Sequence, residues 1–109
     1  MPRLTDDGQT VVLDLHGATV DDALRLARRA LTLCHGRGRH RLDVVHGAST
    51  TERDGTRRTI KTAIHAWLDG GTAAPFYQSD RRGEALVSFY FALGARADAR
   101  RFTLRDLGT

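Results

Sequence analysis

The sequence predicts an α/β fold, and three observations carry that prediction. An apolar run ends in His16-Gly17, an amphipathic helical pattern follows, and a second apolar run ends in His46-Gly47, all between residues 11 and 47. That is the size of a strand–helix–strand unit, whose crossover is nearly always right-handed and whose strands are then parallel. A second helical pattern and two more apolar runs complete the order β-α-β-α-β-β, a mixed four-stranded sheet with two helices. At 109 residues the chain builds one domain around a single core.

Residues 1–10 are polar and read as an N-terminal arm. Residues 11–16 (VVLDLH) are β-branched and apolar, with polar residues entering at alternate late positions, which predicts a strand ending at Gly17. Thr19 is a helix N-cap, and Asp21 and Asp22 suit the positive end of the helix dipole. Val20, Ala23, Leu24, Ala27, Ala30, Leu31 and Cys34 then recur at helical spacing until Gly36 stops the helix. Residues 37–41 (RGRHR) form a basic turn, and 42–46 (LDVVH) a second strand ending at Gly47. A polar loop over 48–55 leads to a second helix over 56–68, with Ile60, Ala63, Ile64, Trp67 and Leu68 as its apolar stripe and Gly70 and Gly71 at its end. Residues 75–80 (PFYQSD) are expected as a third strand, 81–84 as a turn, and 85–93 (ALVSFYFAL) as a buried fourth strand. Residues 101–107 (RFTLRDL) alternate weakly and are expected to add an edge strand within a C-terminal extension, 94–109.

Composition bounds the function. Hydrophobic residues make up 40% and charged residues 28% of the chain, as in ordinary globular proteins. There is no secretory signal pattern at the N-terminus, and the longest apolar stretch is far too short to span a bilayer. Cys34, the only cysteine, lies on the apolar helix face, so it belongs to the core and has no disulfide partner within the chain. A cytoplasmic protein without membrane contact is expected. The net charge is +4, and Lys61 is the single lysine among 17 basic residues. Arginine suits bidentate phosphate contact, which makes nucleic acid a candidate partner.

Parallel strands would bring His16 and His46 to the same carboxyl edge of the sheet, where α/β sheets bind ligands. Each His-Gly also leads into a helix N-terminus, where unpaired backbone N–H groups favour an anion. Asp14 and His16, two apart, share one strand face, so Asp14 can orient the imidazole. The extra valine in LDVVH sets Asp43 and His46 three apart, on opposite faces, so Asp43 should not support His46. No His-x-x-x-His or His-Cys spacing marks a metal site, and no dinucleotide, phosphate-loop or nucleophile-elbow motif is present.

Taken together, residues 13–17 (LDLHG), the helix over 20–31 with its early acidic pair, residues 44–47 (VVHG), and 60–68 with a late Trp-Leu resemble the Smr (small MutS-related) domain family over residues 11–93. The resemblance implies a compact two-layer α/β sandwich similar to the C-terminal domain of bacterial translation initiation factor 3. It implies endonuclease activity, on DNA in some members and on messenger RNA at stalled or collided ribosomes in others. The family's L-D-x-H element falls on Asp14 and His16, and the histidine of its H-G-x-G element on His46. In this reading His16 is the supported general base and His46 shares the acid/base work. Backbone around Gly17 and Gly47, with Ser49, Arg57, Arg58 and the basic-turn residues Arg37, Arg39 and Arg41, would hold phosphate. RNA cleavage through a 2′-hydroxyl needs no cofactor, whereas DNA nicking would call for Mg²⁺ or Mn²⁺. The chain departs from the family pattern at His46-Gly47-Ala48-Ser49, which lacks the second glycine, and at Gly83-Glu84-Ala85-Leu86, which thins a late Gly-rich turn. A non-catalytic nucleic-acid- or ribosome-binding module is the alternative those departures suggest.

Overall fold

The computed structural model describes residues 2–47, 59–92, 100–101 and 103–108. Five strands, β1 (Arg3–Asp6), β2 (Thr10–Asp14), β3 (Arg41–Val45), β4 (Ser79–Arg82) and β5 (Leu86–Tyr90), form one sheet in the order β1-β2-β3-β5-β4. Two helices, α1 (Val20–Gly36) and α2 (Ile60–Asp69), cross over it. β2 and β3 pair in parallel, as the strand–helix–strand unit requires, and β5 runs antiparallel to both β3 and β4. β3 and β4 are therefore parallel too, and the two crossovers step the same way along the sheet. Right-handed connections then place both helices on one face, giving the expected two-layer sandwich with one strand more than the predicted four.

The alternation along each strand shows which face is covered. Val11 and Leu13 of β2, Leu42 and Val44 of β3, and Val87 and Phe89 of β5 are fully buried. They meet Ala23, Leu26, Ala27, Ala30, Leu31 and Cys34 of α1 and Ala63, Ile64 and Leu68 of α2. Tyr77 stands edge-on to Phe89 at 5.0 Å and Trp67 lies 6.2 Å away, so aromatic packing closes the core under β5. Thr19 caps α1 as expected, its hydroxyl accepting from the Asp22 N–H.

Four sequence expectations are corrected. The N-terminal arm is largely strand: β1 forms a hairpin with β2, turned by the Asp7 carboxylate accepting from the Gln9 and Thr10 N–H groups and by Gly8 at φ +94°. The expected strand over 75–80 begins instead as a 3₁₀ turn, Ala74–Phe76, because Pro75 has no N–H to give a ladder. β4 starts only at Ser79 and takes in Arg81 and Arg82, charged residues that suit an exposed edge. The expected C-terminal edge strand is a 3₁₀ turn, Leu104–Leu107, whose Leu107 is buried against the core while Arg25 donates to the Leu107 and Gly108 carbonyls. Finally, α2 begins at Ile60, later than expected, because Thr59 and Thr62 form a reciprocal capping box there.

Among the described residues no helix is long and apolar enough to cross a membrane.

Candidate functional site

The β2–β3 register pairs Asp14 with Val45, and the Leu15 N–H continues the ladder by donating to the Val45 carbonyl at 2.9 Å. His16 and His46 therefore emerge at the same carboxyl edge of the sheet, as the sequence predicts. The reason for the first His-Gly is local. The Ala18 N–H bonds the Leu15 carbonyl at 3.0 Å, closing a turn with His16 and Gly17 at its centre, and Gly17 has φ +85°. A type II turn demands positive φ at its third position, which glycine accepts without strain. The Asp14 carboxylate braces this turn, accepting from the His16 backbone N–H at 2.9 Å. The expected grip of Asp14 on the His16 ring is thus replaced by a grip on the backbone that carries it. His16 itself is exposed.

His46 is built differently. Its N–H and that of Gly47 both donate to the Ala85 carbonyl, at 3.0 and 2.9 Å, anchoring the turn to the start of β5. The Gly47 N–H is therefore occupied and does not serve as an anion donor. His46 Nδ1 lies 2.7 Å from the Gly47 carbonyl, an acceptor only, so Nδ1 carries the proton and Nε2 the lone pair. The side chain follows the alternation of Leu42 and Val44 towards the helices and is only 9% exposed. Asp43 lies on the other face, bonded by Arg41 Nε at 2.7 Å and by the Ser88 hydroxyl at 2.7 Å. The predicted separation of Asp43 from His46 is what the fold shows.

A residue that the sequence reading passed over completes the surroundings. His65, half-buried on α2, meets His46 edge-on with ring centroids 5.7 Å apart and planes at 82°. Among the described residues, the Nε2 atoms of both rings are buried with no hydrogen-bond partner. Burial pushes the proton affinity of His46 below the usual imidazole value of 6.5, with His65 and Lys61 adding to the effect and the Gly47 carbonyl opposing it. His65 is lowered as well, by burial and by the Arg82 and Lys61 charges, against Asp69 and Asp80. The signal that could have found His65 was parity: residue 46 shares a strand face with 42 and 44, so its neighbours lie on a helix.

The basic turn is not part of this site. Arg41 opens β3 while His46 follows its end, five residues or roughly 16 Å along the strand. Arg39 is 1% exposed, clamped to Asp6 of β1 by two bonds of 2.9 Å and donating to the Arg37 and Arg100 carbonyls. It is a structural ion pair, which corrects its expected role in phosphate contact. Arg37 reaches the Arg100 carbonyl at 3.3 Å, and Arg41 lies over Tyr90 at 5.5 Å while bonded to Asp43. Ser49, Arg57 and Arg58 lie outside the described residues. Among the described residues, no group of three His, Cys, Asp or Glu side chains is placed to hold a metal ion.

Gly47 also has φ +85°, and a Cβ added there would meet nothing within 4 Å among the described residues. Gly47→Ala should therefore cost only the backbone penalty, about 1–2 kcal/mol, measurable as a lower midpoint in urea with an unchanged slope.

The structure is a two-layer α/β sandwich with paired His-Gly turns at the carboxyl end of the neighbouring parallel strands β2 and β3. The sequence model of the Smr domain family matches residues 13–85, two thirds of the chain, and the protein belongs to that family, one of nucleic-acid-binding and endonuclease domains. No curated protein and no solved structure matches the chain significantly.

Proposed function

We propose that the protein is an endonuclease that cleaves RNA by histidine acid/base chemistry at the carboxyl edge of β2 and β3. The observation that carries this reading is the fixed tautomer of His46, whose proton is held on Nδ1 by the Gly47 carbonyl while Nε2 keeps an unpaired, desolvated lone pair. Such a nitrogen is a base. The roles therefore reverse relative to the sequence expectation: His46 is the base and His16, exposed on the neighbouring turn, the acid. Once the bound RNA has opened the buried setting of His46, its Nε2 takes the proton of a ribose 2′-hydroxyl as that oxygen attacks phosphorus. The bond from phosphorus to the 5′ oxygen breaks, and His16 returns a proton to that oxygen, leaving a cyclic phosphate. Asp14 acts through the turn it braces, and the Gly17 backbone lies beside the phosphate.

Labelled RNA should be cut at the full rate in excess EDTA, leaving 2′,3′-cyclic phosphate ends, and DNA should stay intact. His16→Ala should lose most of that activity, and Asp14→Ala should weaken it by loosening the turn. Equal cleavage by parent, His16→Ala and Asp14→Ala would sink the assignment. DNA nicking that depends on Mg²⁺ or Mn²⁺ would turn the reading to a metal-assisted nuclease. The missing second glycine after Gly47 favours one other reading, a module that binds RNA or the ribosome without cutting. It predicts strongly salt-dependent binding with intact RNA.

A further inference from the structure

His65 takes no part in the proton transfers assigned to His46 and His16, yet it sits against the His46 ring. A polar ring is set against the His46 ring, and neither Nε2 has a hydrogen-bond partner among the described residues. Buried polar atoms are nearly always satisfied, so two orphaned nitrogens side by side call for an explanation.

The explanation lies in what a second imidazole does to the first. Rings 5.7 Å apart in a partly dehydrated site cannot both carry a proton without strong repulsion. A base that must be unprotonated at neutral pH benefits from a neighbour of this kind. We infer that His65 is the positioning residue of His46, its edge holding the His46 ring against the Gly47 carbonyl and its charge, when present, excluding a proton from His46 Nε2. This inference rests on the reading of His46 as the base.

The groups around the pair are consistent with that role. On α2, Lys61 faces both rings and Asp69 faces His65; from β4, Arg82 and Asp80 face His65; from the turn after β3, the Gly47 carbonyl holds His46. Arg82 is itself tied to Asp69 at 2.8 Å and to Asp80 at 3.8 Å. That cation is therefore partly offset, and among the described residues Lys61 and His65 are the charges that act on His46. Among the described residues, burial, His65 and Lys61 favour deprotonated His46, and the Gly47 carbonyl opposes them.

The test is the titration of the His46 ring, followed by nuclear magnetic resonance in the parent and in His65→Gln, with the pH profile of RNA cleavage measured alongside. Gln keeps the size and removes the titrating charge. The His46 midpoint should rise by about 0.5–1 pH unit, the effect of one unit charge near 6 Å in a partly screened site. The acid limb of the cleavage profile should move up with it. A residue that merely fills space would lower the rate without moving the limb. An unchanged His46 midpoint in folded His65→Gln overturns the inference. Should that variant fail to fold, the parent decides: coupled rings titrate over a stretched range, each reporting on the other, whereas two independent single-site curves overturn the pairing. A parent that cuts no RNA but shows the midpoint shift would overturn the nuclease reading alone and leave the coupling standing.

Discussion

His46→Gln will reduce RNA cleavage by about 10²–10⁴-fold, the loss expected when a positioned proton-transfer group is removed, with the fold intact by circular dichroism. The substitution keeps a polar side chain of similar reach but takes away the lone pair that the Gly47 carbonyl leaves on Nε2. Cleavage by the parent should fall as pH drops, because protonation of Nε2 removes the base, and the limb should lie below pH 6.5, since burial weakens proton binding by His46. The same asymmetry acts on stability. Below the ordinary imidazole value of 6.5 the unfolded chain takes up a proton that the folded His46 resists, so stability falls with pH until the folded ring is protonated too. Urea melts at pH 7.5 and 5.5 should show this loss in the parent and a smaller one in His46→Gln. Unimpaired cleavage by the variant would rule out His46 as the base.

Arg39→Met will destabilise the domain by about 3–5 kcal/mol, because it leaves the Asp6 carboxylate buried without its partner. The two side chains are 0% and 1% exposed, and the guanidinium also serves the Arg37 and Arg100 carbonyls. Removing both charges is a different matter. The double variant Asp6→Leu with Arg39→Met should recover most of the lost stability, since desolvating the pair offsets much of its attraction. Chemical denaturation of the two singles and the double measures the coupling directly. A single-variant loss below about 1 kcal/mol would mean that water reaches the pair. The pair ties β1 to the turn before β3 and, through Arg100, to the C-terminal segment. Cleavage per folded molecule should be unaffected, because the pair lies at the far edge of the sheet from His46.

Much of the architecture is legible in local chemistry. Thr19, Asp21 and Asp22 announce α1, the period of Ala23, Ala27, Ala30 and Cys34 names its buried face, and Gly17 and Gly47 mark turns that need positive φ. The spacing of two apolar runs around one helix dictates a parallel pair with both histidines at its carboxyl edge. β1 has only a weak local signature, the Asp7-Gly8 hairpin signal, because Arg3, Thr5 and Asp6 give its strand no apolar face of its own. Residues 101–107 alternate like a strand, but Leu107 finds its burial against the core while Thr103 and Asp106 cap a 3₁₀ turn, and tertiary burial outweighs weak periodicity.

The sequence by itself determined the central strand–helix–strand–helix order, the two His-Gly turns and the opposite faces of Asp43 and His46. All of these follow from periods and turn chemistry that act within a few residues. Only the tertiary structure decided the partners. Arg39 pairs with Asp6 from 33 residues away, and His46 meets His65 across the sheet–helix interface. Such meetings depend on which faces the two crossovers press together, a property of the packed layers that no local pattern along the chain contains.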